Sequence, residues 1–459
     1  MSTFVVILNE TIMSVALPHL MRSLSISANL AQWLSSAFML TMAVIIPITG
    51  FLLQRFNTRP AFIAAMSLFS AGTLLAATAP GFPMLLIARV VQASGTAIMF
   101  PLLLTTVMTL VDPAHRGRII GNISVVISVA PAIGPTISGL ILNVLDWRWM
   151  FILVLPVALA ALIVGGVLMT NITDTRKIPI DVLSVFLSAV GFGGLVYGIS
   201  SFGANPGGGG DFEGWAPMAV GFLVLVVFVL RQIRRQRHDR ALLDLRTFNS
   251  RIFTLSIGMM AISMMALFGT IIVLPIYMQT VLGLQPVQAG LLLLPGGLIM
   301  GLLAPSVGRM YDRRGPRGLL VAGSTIVSLA LWSFTAFTQT TSAWLVLAAH
   351  VGLSLGLALL FTPLFTTGLG AVRPQLYSHG SAIIGSLQQL AGASGTALFV
   401  TVMASTAAAK LAQGFSQLGS TAAGVQAAFT VGAAISMLAI PFAFLIRRPV
   451  EAAKEPTTR

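Results

Sequence analysis

The sequence predicts an all-α polytopic membrane protein of fourteen transmembrane helices, and three observations carry that expectation. First, 56% of its 459 residues are apolar and only 8% are charged, where a soluble domain carries about 25% charged side chains. Second, apolar windows of about 20 residues, the length that crosses hydrocarbon as a helix, can be read off fourteen times. Third, the basic residues fall on alternate connections between those windows. Hydrocarbon offers the backbone no hydrogen-bond partners, and no two-residue alternation of a membrane barrel is present, so each window is expected to be a helix.

In chain order the windows are 4–21, 30–53, 60–79, 84–111, 119–145, 149–169, 182–202, 215–230, 252–278, 287–307, 318–337, 343–369, 380–404 and 425–446. The first has no charged leader and no small-residue cleavage motif, so it reads as a retained span. Its lack of any polar leader suggests a trimmed start. The complete absence of cysteine removes disulfides, thiolate nucleophiles and thiolate metal sites together.

Orientation follows from charge. With both termini in the cytoplasm, the connections after even-numbered spans and the tail hold Arg55, Arg59, Arg116, Arg118, Arg176, Lys177, the cluster from Arg231 to Arg251, the group from Arg309 to Arg317, Arg373, Arg447, Arg448, Lys454 and Arg459, which is 22 of the 26 basic residues. Only Arg22, Arg148 and Lys410 fall outside, and Arg89 lies within a span. Such an asymmetry places the cytoplasmic face, and a bacterial inner membrane is the expected location. It also accounts for the net charge of +14 without nucleic acid: the run RQIRRQRHDR at 231–240 has no interleaved aromatics to stack bases and reads as a lipid-facing loop.

Two connections share a pattern that composition does not require. GFLLQRFNTR at 50–59, after the second window, and GRMYDRRGPR at 308–317, after the tenth, both read G-x-x-x-(D/Q)-R-x-(G/N)-x-R. An offset of eight windows makes sense if 1–170 and 246–449 are equivalent six-helix bundles, 171–245 is an inserted helix pair with a basic linker, and 450–459 is a tail. Parallel halves of this kind place a substrate path between them.

On these residues the chain resembles the major facilitator superfamily, specifically its fourteen-span drug:proton antiporter branch, and looks most like the lincomycin-exporter-like members. The paired loops are similar to the superfamily's signature loop, which implies conformational roles for Gly50 and Arg55 and for Asp312, Arg313, Gly315 and Arg317. The first copy departs from the pattern at Gln54 and Asn57. LLIARVVQASGTA in the fourth window is similar to a family motif at Arg89, Gln92 and Gly95. Gly121 followed by APAIGPTISG is similar to the antiporter motif at Gly134, Pro135 and Gly139, and LNETIMSVALP is similar to a first-span motif, with Asn9 where many relatives have Asp and the acid moved to Glu10. DWRWMF at 146–151 completes the set. The resemblance implies a functional monomer that exports small amphipathic or cationic compounds against protons, with no cofactor and no metal.

Physical chemistry gives these residues candidate roles. Prolines and glycines crowded into the fifth window predict a kink or a close helix contact. Asn9, Gln32, Trp33, Gln92, Met264 and Gln388 are polar, amphipathic or polarizable groups within spans and are candidates to meet substrate, although glutamines bond equally well between helices. His19 and His350 lack a second ligand at metal spacing. Glu10 and Arg89 are the two ionised groups within the fourteen windows, and charges there are functional by default. Glu10 is the candidate proton-coupling carboxylate, tuned by Arg89. Two readings stand at this point: a titrating Glu10, or a Glu10 permanently paired with Arg89 or satisfied by Asn9 and Thr11. No nucleophile–base pair, phosphate loop or carboxylate dyad supports an enzyme. An exporter of an endogenous metabolite, peptide or lipid, and a non-transporting receptor or scaffold, are the alternatives.

Overall fold

The computed structural model describes residues 2–26, 28–172, 181–204 and 212–448. The described residues are 88% helical, with no strand among them. Its long helices are α1 (Ser2–Ser23), α2 (Ala28–Arg55), α3 (Thr58–Ala77), α4 (Phe82–Leu110), α5 (Arg116–Val144), α6 (Arg148–Leu168), α7 (Val182–Ala204), α8 (Phe212–Arg235), α9 (Arg251–Ile276), α10 (Pro286–Arg314), α11 (Arg317–Thr335), α12 (Ala343–Gly370), α13 (Tyr377–Ala412) and α14 (Gln417–Met437), followed by a short α15 (Ala439–Leu445). Among the described residues, 12 stretches are long and apolar enough to cross a membrane. α1 and α5, both expected as spans, contain positions outside the described residues, and that count does not test them. Arg176 and Lys177 of the expected linker, and the expected tail 450–459, lie outside the described residues.

Local chemistry sets the helix ends. Ser250 at α9, Ser342 at α12 and Ser416 at α14 each accept a backbone N–H of the first turn, meeting donors the helix cannot satisfy itself. Gln285 and Gln288 bracket the start of α10 reciprocally. That helix stops at Gly315, whose φ of 80° is readily adopted only without a side chain. The break between α14 and α15 at Leu438 precedes Pro441, which has no N–H to offer the Met437 carbonyl one turn back.

The helices pack in a pattern that repeats with an offset of eight. α1 packs on α5 as α9 does on α13; α2 on α4 as α10 on α12; α3 on α4 and α6 as α11 on α12 and α14. Between the two sets, α5 meets α10 and α2 meets α13. α7 pairs with α8 and lies against both α2 and α13, one helix from each set. The outer surface of α8 exposes Phe222, Leu223, Val227 and Leu230, a lipid-compatible face. This is a multi-pass membrane protein.

One apolar core, including Met66, Phe69, Met150 and Phe151, belongs to α1–α6. The other is built mainly from α9–α15 but also takes in Phe51, Leu104, Val107, Met108 and Ile120. Those five sit at the ends of α2 and α4 and the start of α5, beside the Arg-rich connections. The second core therefore reaches across both sets of helices at the basic end of the bundle.

Candidate functional site: a closed gate at the basic end and a buried arginine network

At the basic end, Asp312 near the C-terminus of α10 faces the N-terminus of α5. Its Oδ1 accepts the backbone N–H of Gly117 at 2.9 Å and its Oδ2 that of Arg118 at 2.8 Å. The first turn of a helix has free N–H groups and a positive dipole end, so a carboxylate is its best-matched partner. Glycines make the approach possible: a Cβ on Gly308 would fall 2.1 Å from the Gly117 carbonyl oxygen, and one on Gly121 2.4 Å from that of Ala304. Arg313 and Arg317 are exposed, and Arg317 lies over the Phe444 ring at 5.9 Å. The contact at Asp312 is thus carried by backbone N–H groups of the opposite bundle.

The equivalent contact on the other side is neutral. Gln54 of α2 donates to the Gln375 carbonyl at 3.2 Å, just before α13. Gly50, one turn back, lets His379 of α13 approach, since a Cβ there would lie 3.0 Å from its Nδ1. Arg55 is half-buried at the end of α2. A carboxylate at a helix N-terminus contributes up to about 2 kcal/mol in partly buried settings, against about 0.5–1.5 kcal/mol for a neutral hydrogen bond. The α10–α5 contact is therefore the stronger of the two.

Further bonds between the bundles join Thr105 to Ser381 at 2.9 Å, Thr362 to Ser124 at 3.3 Å, and Arg116 to the Tyr377 hydroxyl at 3.4 Å. Phe100 meets Phe365 edge-on, centroids 5.8 Å apart. All of these lie toward the basic end, which is closed.

Arg89 of α4 is 1% exposed. Its Nη1 donates to Asn9 Oδ1 of α1 at 3.1 Å and to Gln92 Oε1 at 3.0 Å, and its Nε to the Leu34 carbonyl of α2 at 3.4 Å. The guanidinium also lies 4.1 Å from the centroid of Phe38. An arginine buried within a span is costly, and these acceptors and the ring offset that cost. Gln92 in turn donates to Thr73 of α3 at 2.9 Å. Gly72 permits it, because a Cβ there would fall 2.5 Å from the Gln92 nitrogen. Four helices are tied together through one charge.

Asn9 and Gln92, candidates for substrate contact, are thus buried in this network at 2% and 0% exposure. Trp33 stacks on Tyr197 of α7 with centroids 6.0 Å apart. Met264 is buried, Gln388 half-buried and Gly134 buried. The side chains of Glu10, Gln32 and Pro135 and the surroundings of Gly139 lie outside the described residues, though all four backbones are helical.

Several residues of the gate carry no individual signal in the sequence. Gly117, Arg118, Thr105, Ser381 and His379 are ordinary residues near helix ends, and only the tertiary contact singles them out. Gly308 was findable, because the loop repeat pairs it with Gly50.

Two parallel sets of helices closing on each other through the paired Gly/Arg loops agree with the sequence comparison: the pattern of the Major Facilitator Superfamily matches residues 1–396. The chain belongs to the Major Facilitator Superfamily. Like other members of this superfamily it is a transporter, not an enzyme. It is 40% identical over 453 residues to a lincomycin resistance protein of Listeria innocua, covering 98% of this chain and 95% of that one. A multidrug resistance protein B homolog of Mycobacterium tuberculosis is 28% identical over 397 residues, covering 86% and 73%. The superfamily fold also appears in the comparison with the human organic anion transporter MFSD10, with a TM-score of 0.63 at 15% identity over 96% of this chain and 98% of that one.

Proposed function

We propose that this protein is a proton-coupled antiporter of fourteen spans that exports small amphipathic or cationic compounds of the lincosamide and multidrug type. The observation that carries the reading is the closed basic end, where Asp312 seats on the α5 N-terminus over the Gly117–Gly308 contact. A contact held by a few hydrogen bonds and an apolar cluster shared by two bundles can break and re-form, as alternating access requires. The positive-inside asymmetry makes the basic end cytoplasmic in a bacterial inner membrane, with both termini inside, so this conformation faces outward. The lincomycin and multidrug relatives support the substrate class. The path between bundles lies within one chain, so a monomer suffices.

Proton coupling is assigned to Glu10, next to Asn9 and hence one residue from the Arg89 network. A carboxyl deep in a span is desolvated and titrates nearer neutrality, and a neighbouring arginine opposes that rise, so changing their proximity couples proton to substrate. No cofactor is needed beyond the proton gradient. The test is efflux from proteoliposomes holding wild-type or Glu10→Gln protein, with an imposed pH gradient and a panel of lincosamides, cationic dyes and quaternary ammonium compounds. Gradient-driven transport by the wild type, lost in a Glu10→Gln variant that still binds substrate, is expected. No transport of any compound by the wild type rejects the export reading; undiminished pH-dependent transport by Glu10→Gln rejects the coupling residue alone.

A further inference from the structure

We propose that the basic end of the α7–α8 pair is a binding site for one anionic phospholipid, with its phosphate at Arg234, Arg235 and His238 and its acyl chains along Leu183, Leu187, Val227 and Leu230. A cavity of about 510 Å³ lies between these helices and is lined by these seven residues and Arg231. Its two kinds of wall are segregated along the membrane normal. The apolar wall comes from within the two spans, with Leu183, Val227 and Leu230 each at least half exposed, and charge begins at Arg231, one residue after Leu230.

The charged wall is built rather than loose. Asp181, 7% exposed just before α7, holds Arg231 at 2.9 Å and Arg235 at 3.1 Å. Ser184 bonds Asp181 at 2.6 Å and receives Gln232 at 2.9 Å. Among the described residues, one carboxylate against three guanidiniums leaves the cavity cationic, and Arg234 and His238 line it and are exposed. Juxtamembrane basic clusters of this kind attract anionic headgroups. A soluble anion would use the charged rim and leave the apolar wall unused. A zwitterionic lipid would bring an ammonium to an already cationic rim. An anionic phospholipid matches both walls. The site rests on membrane residence and not on the transport reading. Because α7 also touches α2 and α13, a lipid held there lies beside the junction of the two bundles.

The test is native mass spectrometry of the delipidated full-length protein in detergent, titrated with phosphatidylglycerol, with phosphatidylcholine of the same acyl chains, and with glycerol 3-phosphate. One phosphatidylglycerol is expected to survive collisional activation that strips phosphatidylcholine, and Arg234→Gln should weaken its binding about fivefold, with His238→Gln compounding the loss. Arg234 lies outside the Asp181 pairs, so an unchanged melting temperature shows that the fold is intact. The proposal is overturned by equal retention of the two lipids, by wild-type retention of phosphatidylglycerol in the double variant, or by glycerol 3-phosphate displacing the lipid, which would mark a soluble-anion site.

Discussion

Asp312 of α10 and Gly117 of α5 meet across the two bundles through a single 2.9 Å bond from backbone N–H to carboxylate, with Arg118 adding a second at 2.8 Å. The pairing joins a charged side chain to a helix terminus, so it needs no long cationic partner and breaks as a unit when the helices part. Its counterpart, Gln54 with Gln375, has no charge, which makes the closed state lean on one side of the gate.

Replacing Asp312 with Asn removes the charge and leaves the shape. About 1–2 kcal/mol of helix-terminus interaction should go with it, moving the closed-to-open ratio at the basic end by about tenfold. The native chain has no cysteine, so Ser381→Cys reports directly: its rate of alkylation should rise in the Asp312→Asn background. An unchanged rate would remove Asp312 as a gate residue.

Restoring charge on the weaker side should do the reverse. Gln54→Asp places a carboxylate near the N-terminus of α13 and is expected to slow alkylation at the same reporter by about three- to tenfold, the equivalent of about 1 kcal/mol. Faster labelling would mean that Gln54 contributes through its donor to Gln375 rather than through position.

Gly308→Ala puts a methyl group 2.1 Å from the Gly117 carbonyl oxygen, which the helices can relieve only by separating. Overpacking of this kind costs about 1–3 kcal/mol. Transport should fall by at least about tenfold, with the basic end held open. Gly318→Ala, where a Cβ meets nothing within 4 Å, is the matched control and should transport normally.

Arg89→Lys keeps the charge but loses the planar fork that reaches Asn9, Gln92 and the Leu34 carbonyl together. A loss of about 1.5–3 kcal/mol is expected, seen as a lower melting temperature in detergent. Equal stability would show that Asn9 and Gln92 find other partners.

Asp181 is a further carboxylate beside a span, and burial and its partners act on it in opposite directions. Burial pushes its carboxyl up, but hydrogen bonds from Arg231 and Ser184, with the charge of Arg231, more than offset this and hold it at about 2 against an ordinary 3.8. A carboxylate lowered on folding gives its full stabilisation above the ordinary value and loses it as pH falls toward about 2. Asp181 therefore stays ionised from pH 5 to 8. Asp181→Asn should lower stability at neutral pH while leaving the shape of the pH–efflux curve unchanged; a displaced curve would make Asp181 a proton carrier.

Sequence alone determined the membrane class, because 8% charge in 459 residues leaves a chain no way to hide from water except in lipid. Periodic interruption by Arg and Gly located some helix boundaries closely: window 343–369 became Ala343–Gly370, and 287–307 became the apolar part of Pro286–Arg314, whereas 425–446 started inside Gln417–Met437 and 380–404 stopped short of the end of Tyr377–Ala412. Gly50 and Asp312 were singled out by the loop repeat, and the structure brings both into contacts between the bundles. What Asp312 touches was not legible, since its partners are backbone N–H groups of Gly117 and Arg118, which every residue but proline possesses. Asn9 and Gln92 read equally well as substrate ligands or as interhelical bonds, and only the packing of α1, α3 and α4 placed them around Arg89. The reason is general to helical membrane proteins: hydropathy and charge act on each span independently and are written locally, whereas which polar atom meets which depends on how helices distant in sequence are brought side by side.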